Sequence, residues 1–134
     1  FQQALQTLGL PLRDEWIVST PSTLEGGYHA TLALLTSYPQ ITALFGYNDL
    51  LALGALRACH ELGRQVPKSC AIIGFDDIHL AAMVTPSLST IRVDKYQIGQ
   101  EAMQRLLMMI EQPKLRFPPI ELDVELVVRE SSVV

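Results

Sequence analysis

The sequence predicts an α/β fold: a mostly parallel open sheet with helices on both faces. Three observations point there. Short apolar runs without alternation, such as Thr42-Ala43-Leu44-Phe45 and Cys70-Ala71-Ile72-Ile73-Gly74-Phe75, read as strands covered on both sides. Stretches with apolar residues at helical spacing separate them. Polar residues follow each run at once, where an open parallel sheet presents its loops to a ligand.

In order along the chain, Phe1 to Leu8 has apolar residues at 1, 4, 5 and 8, one helical face, closed by Gly9 and Pro11. Trp16 to Val18 reads as a short strand leading into Ser19-Thr20-Pro21-Ser22-Thr23. Thr23 to Tyr38 reads as a helix with Tyr28, Leu32 and Leu35 on one side, ended by Pro39. After the strand Thr42 to Phe45, Asn48 or Asp49 caps a helix to about Leu62, which Gly63 stops. Cys70 to Phe75 is the next strand, followed by Asp76-Asp77 and a helical turn through Met83. Ser89 to Val93 is another strand. Asp94 then caps a helix to about Glu111 whose buried stripe is Ile98, Met103, Leu106, Leu107 and Ile110. The last strand, Ile120 to Val128, alternates Leu122, Val124 and Leu126 with Asp123 and Glu125, the pattern of a sheet edge.

Composition narrows the function. The 134 residues are 49% hydrophobic and 18% charged, which excludes disorder. No apolar run reaches the roughly 18 residues of a membrane span. A net charge of −4 gives no basic footprint for nucleic acid. Cys59 and Cys70 lack metal-pair spacing and read as buried apolar fillers, with a mild preference for a reducing compartment. Between Trp16 and Cys59 the charged residues are Glu25, Asp49 and Arg57 alone, so that stretch is either interior or faces another surface. The chain opens inside a helix and reads as part of a longer protein.

No Gly-x-Ser-x-Gly elbow, Walker loop or Gly-x-Gly-x-x-Gly fingerprint is present, so no cofactor and no enzymatic activity are expected. Gly26-Gly27 fits close packing better than an anion site, and His29, His60 and His79 are dispersed. What remains is a ring of polar side chains at the strand ends: Ser19, Thr20 and Ser22; Tyr47 and Asn48; Asp76 and Asp77; Arg92, Asp94 and Lys95. Asn and Asp suit a ligand with several hydroxyls, because each spans neighbouring donors or acceptors. The same residues also serve as helix caps and turn formers, and Asp77 fits capping better than ligand contact. An Asp76-Asp77 pair holding Mg²⁺ for phosphoryl transfer is a minor alternative.

The segment Asn48-Asp49-Leu50-Leu51-Ala52-Leu53-Gly54-Ala55 resembles the Asn-Asp-x-x-Ala-x-Gly-Ala stretch of LacI/GalR-type bacterial transcription regulators. Val66-Pro67, Ile72-Ile73-Gly74-Phe75-Asp76-Asp77, Thr85-Pro86-Ser87-Leu88-Ser89-Thr90-Ile91, Gly99 and the ending from Leu126 to Ser132 follow in the same order and spacing. The resemblance implies the C-terminal portion of a periplasmic-binding-protein-like type I effector core. Residues 1–92 would form its C-terminal subdomain, 93–113 a helix returning to an N-terminal subdomain, and 114–134 the final strand and tail. The helix-turn-helix that binds operator DNA would lie outside this chain. Asn48 and Asp76 correspond to effector contacts, Ser22 to a position often occupied by a stacking aromatic, and Lys95 to a contact at the hinge return. Leu50, Leu53, Ala81, Ala82, Met83 and Val84 fall on the family's dimer face. These features imply a cytoplasmic homodimer that binds a sugar-like effector, with no membrane partner. A sugar-transport solute-binding protein shares the fold and is the alternative.

Overall fold

In the computed structural model, which describes residues 1–114 and 116–133, four strands form one sheet in the order β1-β2-β3-β4. They are β1 (Ala43–Phe45), β2 (Ala71–Phe75), β3 (Ser89–Val93) and β4 (Val124–Val127). β1, β2 and β3 run parallel, and β4 returns antiparallel along β3, with Ile91 opposite Leu126 and Arg92 opposite Glu125. The helices are α1 (Gln2–Thr7), α2 (Leu24–Ser37), α3 (Asp49–Glu61) and α4 (Lys95–Glu111).

Strand alternation assigns the faces. Ile72 and Gly74 are buried, and a Cβ on Gly74 would collide with Asp49 and press on Ala52, so this face lies under α3. There Ile72, Leu88, Ala52, Ala55, Leu35 and Ile41 form the core. α2 packs on α3 through Gly27 and Gly54: a side chain on Gly27 would strike the Leu51 backbone, and one on Gly54 the backbone of Leu24 and Tyr28. The buried residues of α2 are accordingly Gly27, Thr31 and Leu35. Phe45 turns to the opposite face, where Phe1, the residue before α1, stacks on it at 4.8 Å.

The tail is stitched into the sheet. Ser131 is fully buried; its hydroxyl donates to Ile72 O at 2.6 Å and accepts from Ser89 N–H at 2.8 Å. Cys59 and Cys70 are buried free thiols as expected, and the neighbouring Cys70 together with burial pushes the Cys59 thiol up.

Three expectations are corrected. Trp16 to Val18 is not a strand: Asp14–Trp16 forms a 3-10 turn, and Ile17 and Val18 are exposed. Three apolar residues make a strand only beside a partner, and β1 pairs with β2 instead. The last strand is also shorter than Ile120 to Val128, because pairing with β3 extends only over Val124–Val127. The stripe of α4 behaves differently from the expected buried one. The Asp94 side chain caps the helix at Gln97 N–H, 2.9 Å away, yet no α4 residue is buried.

Candidate ligand site at the carboxyl end of the sheet

Beyond β1 the chain reaches Asn48, which is extended and caps α3 by accepting from Leu51 N–H at 2.9 Å. The cap occupies Oδ1 alone. The side-chain NH₂ has no acceptor among the described residues, so capping and ligand contact are compatible in one residue.

Beyond β2 the backbone turns through two positive φ values, 114° at Asp76 and 49° at Asp77. Asp tolerates this region better than most residues, but it requires support from the surroundings. Three consecutive amides supply it. Asp76 N–H donates to Ile91 O at 2.9 Å, Asp77 N–H to Thr90 Oγ1 at 3.3 Å, and Ile78 N–H to Asp49 Oδ2 at 2.8 Å. The Thr90 hydroxyl in turn donates to Asp49 Oδ1 at 2.5 Å. Asp49 is fully buried; burial pushes its carboxyl above the usual range, while the bonds from Thr90 and Ile78 pull the other way.

The neighbouring carboxylates have different fates. Asp77 accepts from Arg92 Nε and Arg129 Nη2, each at 2.7 Å. Burial works to raise its pKa, but the two guanidinium groups hold it below the usual carboxylate range. Arg92 also reaches Glu125 on β4 at 2.9 Å. The Asp76 carboxylate, half-buried, receives no hydrogen bond from the described residues, while Lys95 Nζ donates to the Asp76 carbonyl.

Asn48, Asp76 and Lys95 thus gather at the carboxyl end of the sheet, where parallel open sheets bind ligands. Ser22 is exposed just ahead of the Thr23 cap of α2 and makes no hydrogen bond to these three among the described residues. Asp49 was legible as an alternative cap; its burial under Gly74 and its bond to Thr90 were not.

Residues 1–132 match the periplasmic binding protein-like domain family. The chain belongs to this family. It is 37% identical over 131 residues to the HTH-type transcriptional repressor PurR of Yersinia pestis bv. Antiqua, covering 98% of this chain and 38% of that repressor. A sugar-binding LacI-family transcriptional regulator from Escherichia coli, complexed with phosphate, superposes with a TM-score of 0.83 at 32% identity. That match covers 98% of this chain and 47% of the regulator. A LacI-family regulator from Enterococcus faecium with bound ribose superposes with a TM-score of 0.78 at 31% identity, over 98% and 48% of the two chains. The chain therefore spans between a third and a half of the length of these relatives.

Within this periplasmic binding protein-like chain, Asp76 and Asp77 do not form a metal pair, because two guanidinium groups occupy Asp77. Among the described residues no cluster of three or more His, Cys, Asp or Glu is placed to hold a metal. The expected dimer face also needs correction. Ala81 is fully buried in the chain's own core and Leu53 is 5% exposed, so neither offers area to a partner. Leu50, Ala82 and Met83 are exposed and Val84 is half-buried. Val84 borders a cavity of about 950 Å³ that Leu56, Arg57, Leu80 and Pro86 also line, with Leu53 at its wall. This cavity is away from the strand-end cluster: none of Ser22, Asn48, Asp76 and Lys95 lines it.

Proposed function

We propose that this chain is the effector-binding and dimerising part of a cytoplasmic LacI/GalR-type transcription regulator, and that its effector is a sugar or similar small polar metabolite. What supports this is that an Asn48 NH₂ donor and an Asp76 carboxylate, neither with a hydrogen-bond partner among the described residues, both follow strands at the carboxyl end of the sheet. One donates and the other accepts, which matches the mixed character of hydroxyl groups. The repressor names of the relatives favour this reading over a transport solute-binding protein.

The effector acts by binding one arrangement of the two-lobed core more tightly than the other, since equal affinity shifts nothing. Operator DNA is bound by a helix-turn-helix outside this segment. Two copies meet through Leu50, Ala82, Met83 and Val84, as an isologous contact.

Calorimetry on the intact regulator against a panel of sugars and nucleosides tests the site. Asn48→Ala and Asp76→Ala each weaken binding by about tenfold or more, the scale of a lost hydrogen bond to a charged or buried group. Unchanged affinity in both variants overturns the assignment.

A further inference from the structure

We infer that Asp49 is a positioning residue for effector binding: shared between the Thr90 hydroxyl and the Ile78 amide, its carboxylate fixes the Asp76-Asp77 turn relative to Asn48. This rests on the reading of Asn48 and Asp76 as effector contacts. Asp49 is fully buried, so it acts on the effector only through other residues.

Its chemistry is not that of a cap or a core filler. Asn48 already caps α3. An apolar side chain in the same place would avoid the desolvation of a carboxylate, which a buried position opposes. The sheet nonetheless reserves room for it, since Gly74 lacks a Cβ where Asp49 Oδ1 lies. Both oxygens are used, one on β3 through Thr90 and one on the turn through Ile78. Thr90 closes the loop by accepting from Asp77 N–H while donating to Asp49. The turn so held is the one whose two aspartates sit at positive φ. Strain of that kind persists where the surroundings over-determine it. Asp49 adjoins Asn48 in sequence, so one carboxylate sets the separation of the donor at the end of β1 from the acceptor at the end of β2.

The test uses the intact regulator with D-ribose as probe, and variants of Thr90 and Asp49. Thr90→Val removes the hydroxyl at constant volume, Thr90→Ser keeps the hydroxyl, and Asp49→Asn removes the charge. Ribose affinity is measured by calorimetry well below each variant's melting temperature, together with amide hydrogen exchange at Asp77, Ile78 and Ile72. Thr90→Val and Asp49→Asn weaken ribose binding by about tenfold, and Thr90→Ser stays within about threefold of wild type. In the first two, Asp77 and Ile78 exchange faster while Ile72, in the core of β2, does not. If Thr90→Val binds ribose like wild type while Asp76→Ala does not, Asp49 is structural only and the inference fails. If Asp76→Ala also binds like wild type, the reading of the site itself fails.

Discussion

Arg129 donates to Asp77 Oδ1 at 2.7 Å, joining the turn after β2 to the segment after β4, 52 residues further along the chain. The pair exists only in the folded chain, so Asp77 titrates lower there than its ordinary value of 3.8. The unfolded chain then takes up the proton first as pH falls. The stabilisation is complete above the ordinary carboxylate range and is lost as pH drops through it toward the folded value. Thermal unfolding of wild type and Asp77→Asn should therefore differ near neutrality and converge in acid. At neutral pH the difference amounts to about 1 kcal/mol, reduced from the worth of a buried charged bond because Arg92 is half exposed. A difference that ignores pH would show that the ion pairs contribute nothing.

Asn48 is proposed to do two jobs with different atoms, and substitutions separate them. Asn48→Ala removes both and destabilises α3 by about 1 kcal/mol, the usual value of a lost cap. Asn48→Asp keeps a capping oxygen and adds a charge favoured at a helix N-terminus, so stability holds. It has no NH₂ to donate, and effector affinity falls as in the alanine variant. Urea unfolding alongside calorimetry reads the split; an Asp variant that binds effector normally rules out the donor role.

Gly54 and Gly99 predict opposite outcomes for the same substitution. Gly54→Ala drives a methyl into the backbone of α2 and destabilises by about 1–3 kcal/mol or more, as overpacking does. Gly99 has open space around it in the second turn of α4. Gly99→Ala therefore raises the helix content seen by circular dichroism, since Ala is favoured over Gly by about 1 kcal/mol in a helix interior. Equal effects at both positions would contradict the helix contact assigned to Gly27 and Gly54.

The 134-residue chain expressed alone should self-associate. In α4, Met103, Leu106, Leu107, Met109 and Ile110 are each more than half exposed, and contiguous apolar surface of this kind drives association. Sedimentation should show a concentration-dependent species that ammonium sulfate strengthens and Leu106→Glu with Ile110→Glu disperses. A monomer at high concentration in salt would refute this.

Much of the element order was legible because its signals act within one turn. Asp94 capping α4, Thr23 capping α2, and Gly63 with φ of 66° after α3 all depend on neighbours three or four residues away. The family motif around Asn48 was equally local. Asp49, Leu53 and Ala81 were not legible in this way. Asp49 reads as an alternative helix cap until Thr90, 41 residues away, is brought against it. Leu53 and Ala81 read as contact residues until packing draws them into the core.

The charge shortage between Trp16 and Cys59 shows the same division. Local pattern established that α2, β1 and α3 carry few charges and where each begins and ends. Packing decided how that uncharged surface is used. Glycines let α2 and α3 approach backbone to backbone, and Gly74 admits the single buried aspartate of the stretch. Capping and periodicity are settled by short-range hydrogen bonds and side-chain spacing, whereas the partner of a buried carboxylate is chosen only when distant segments meet.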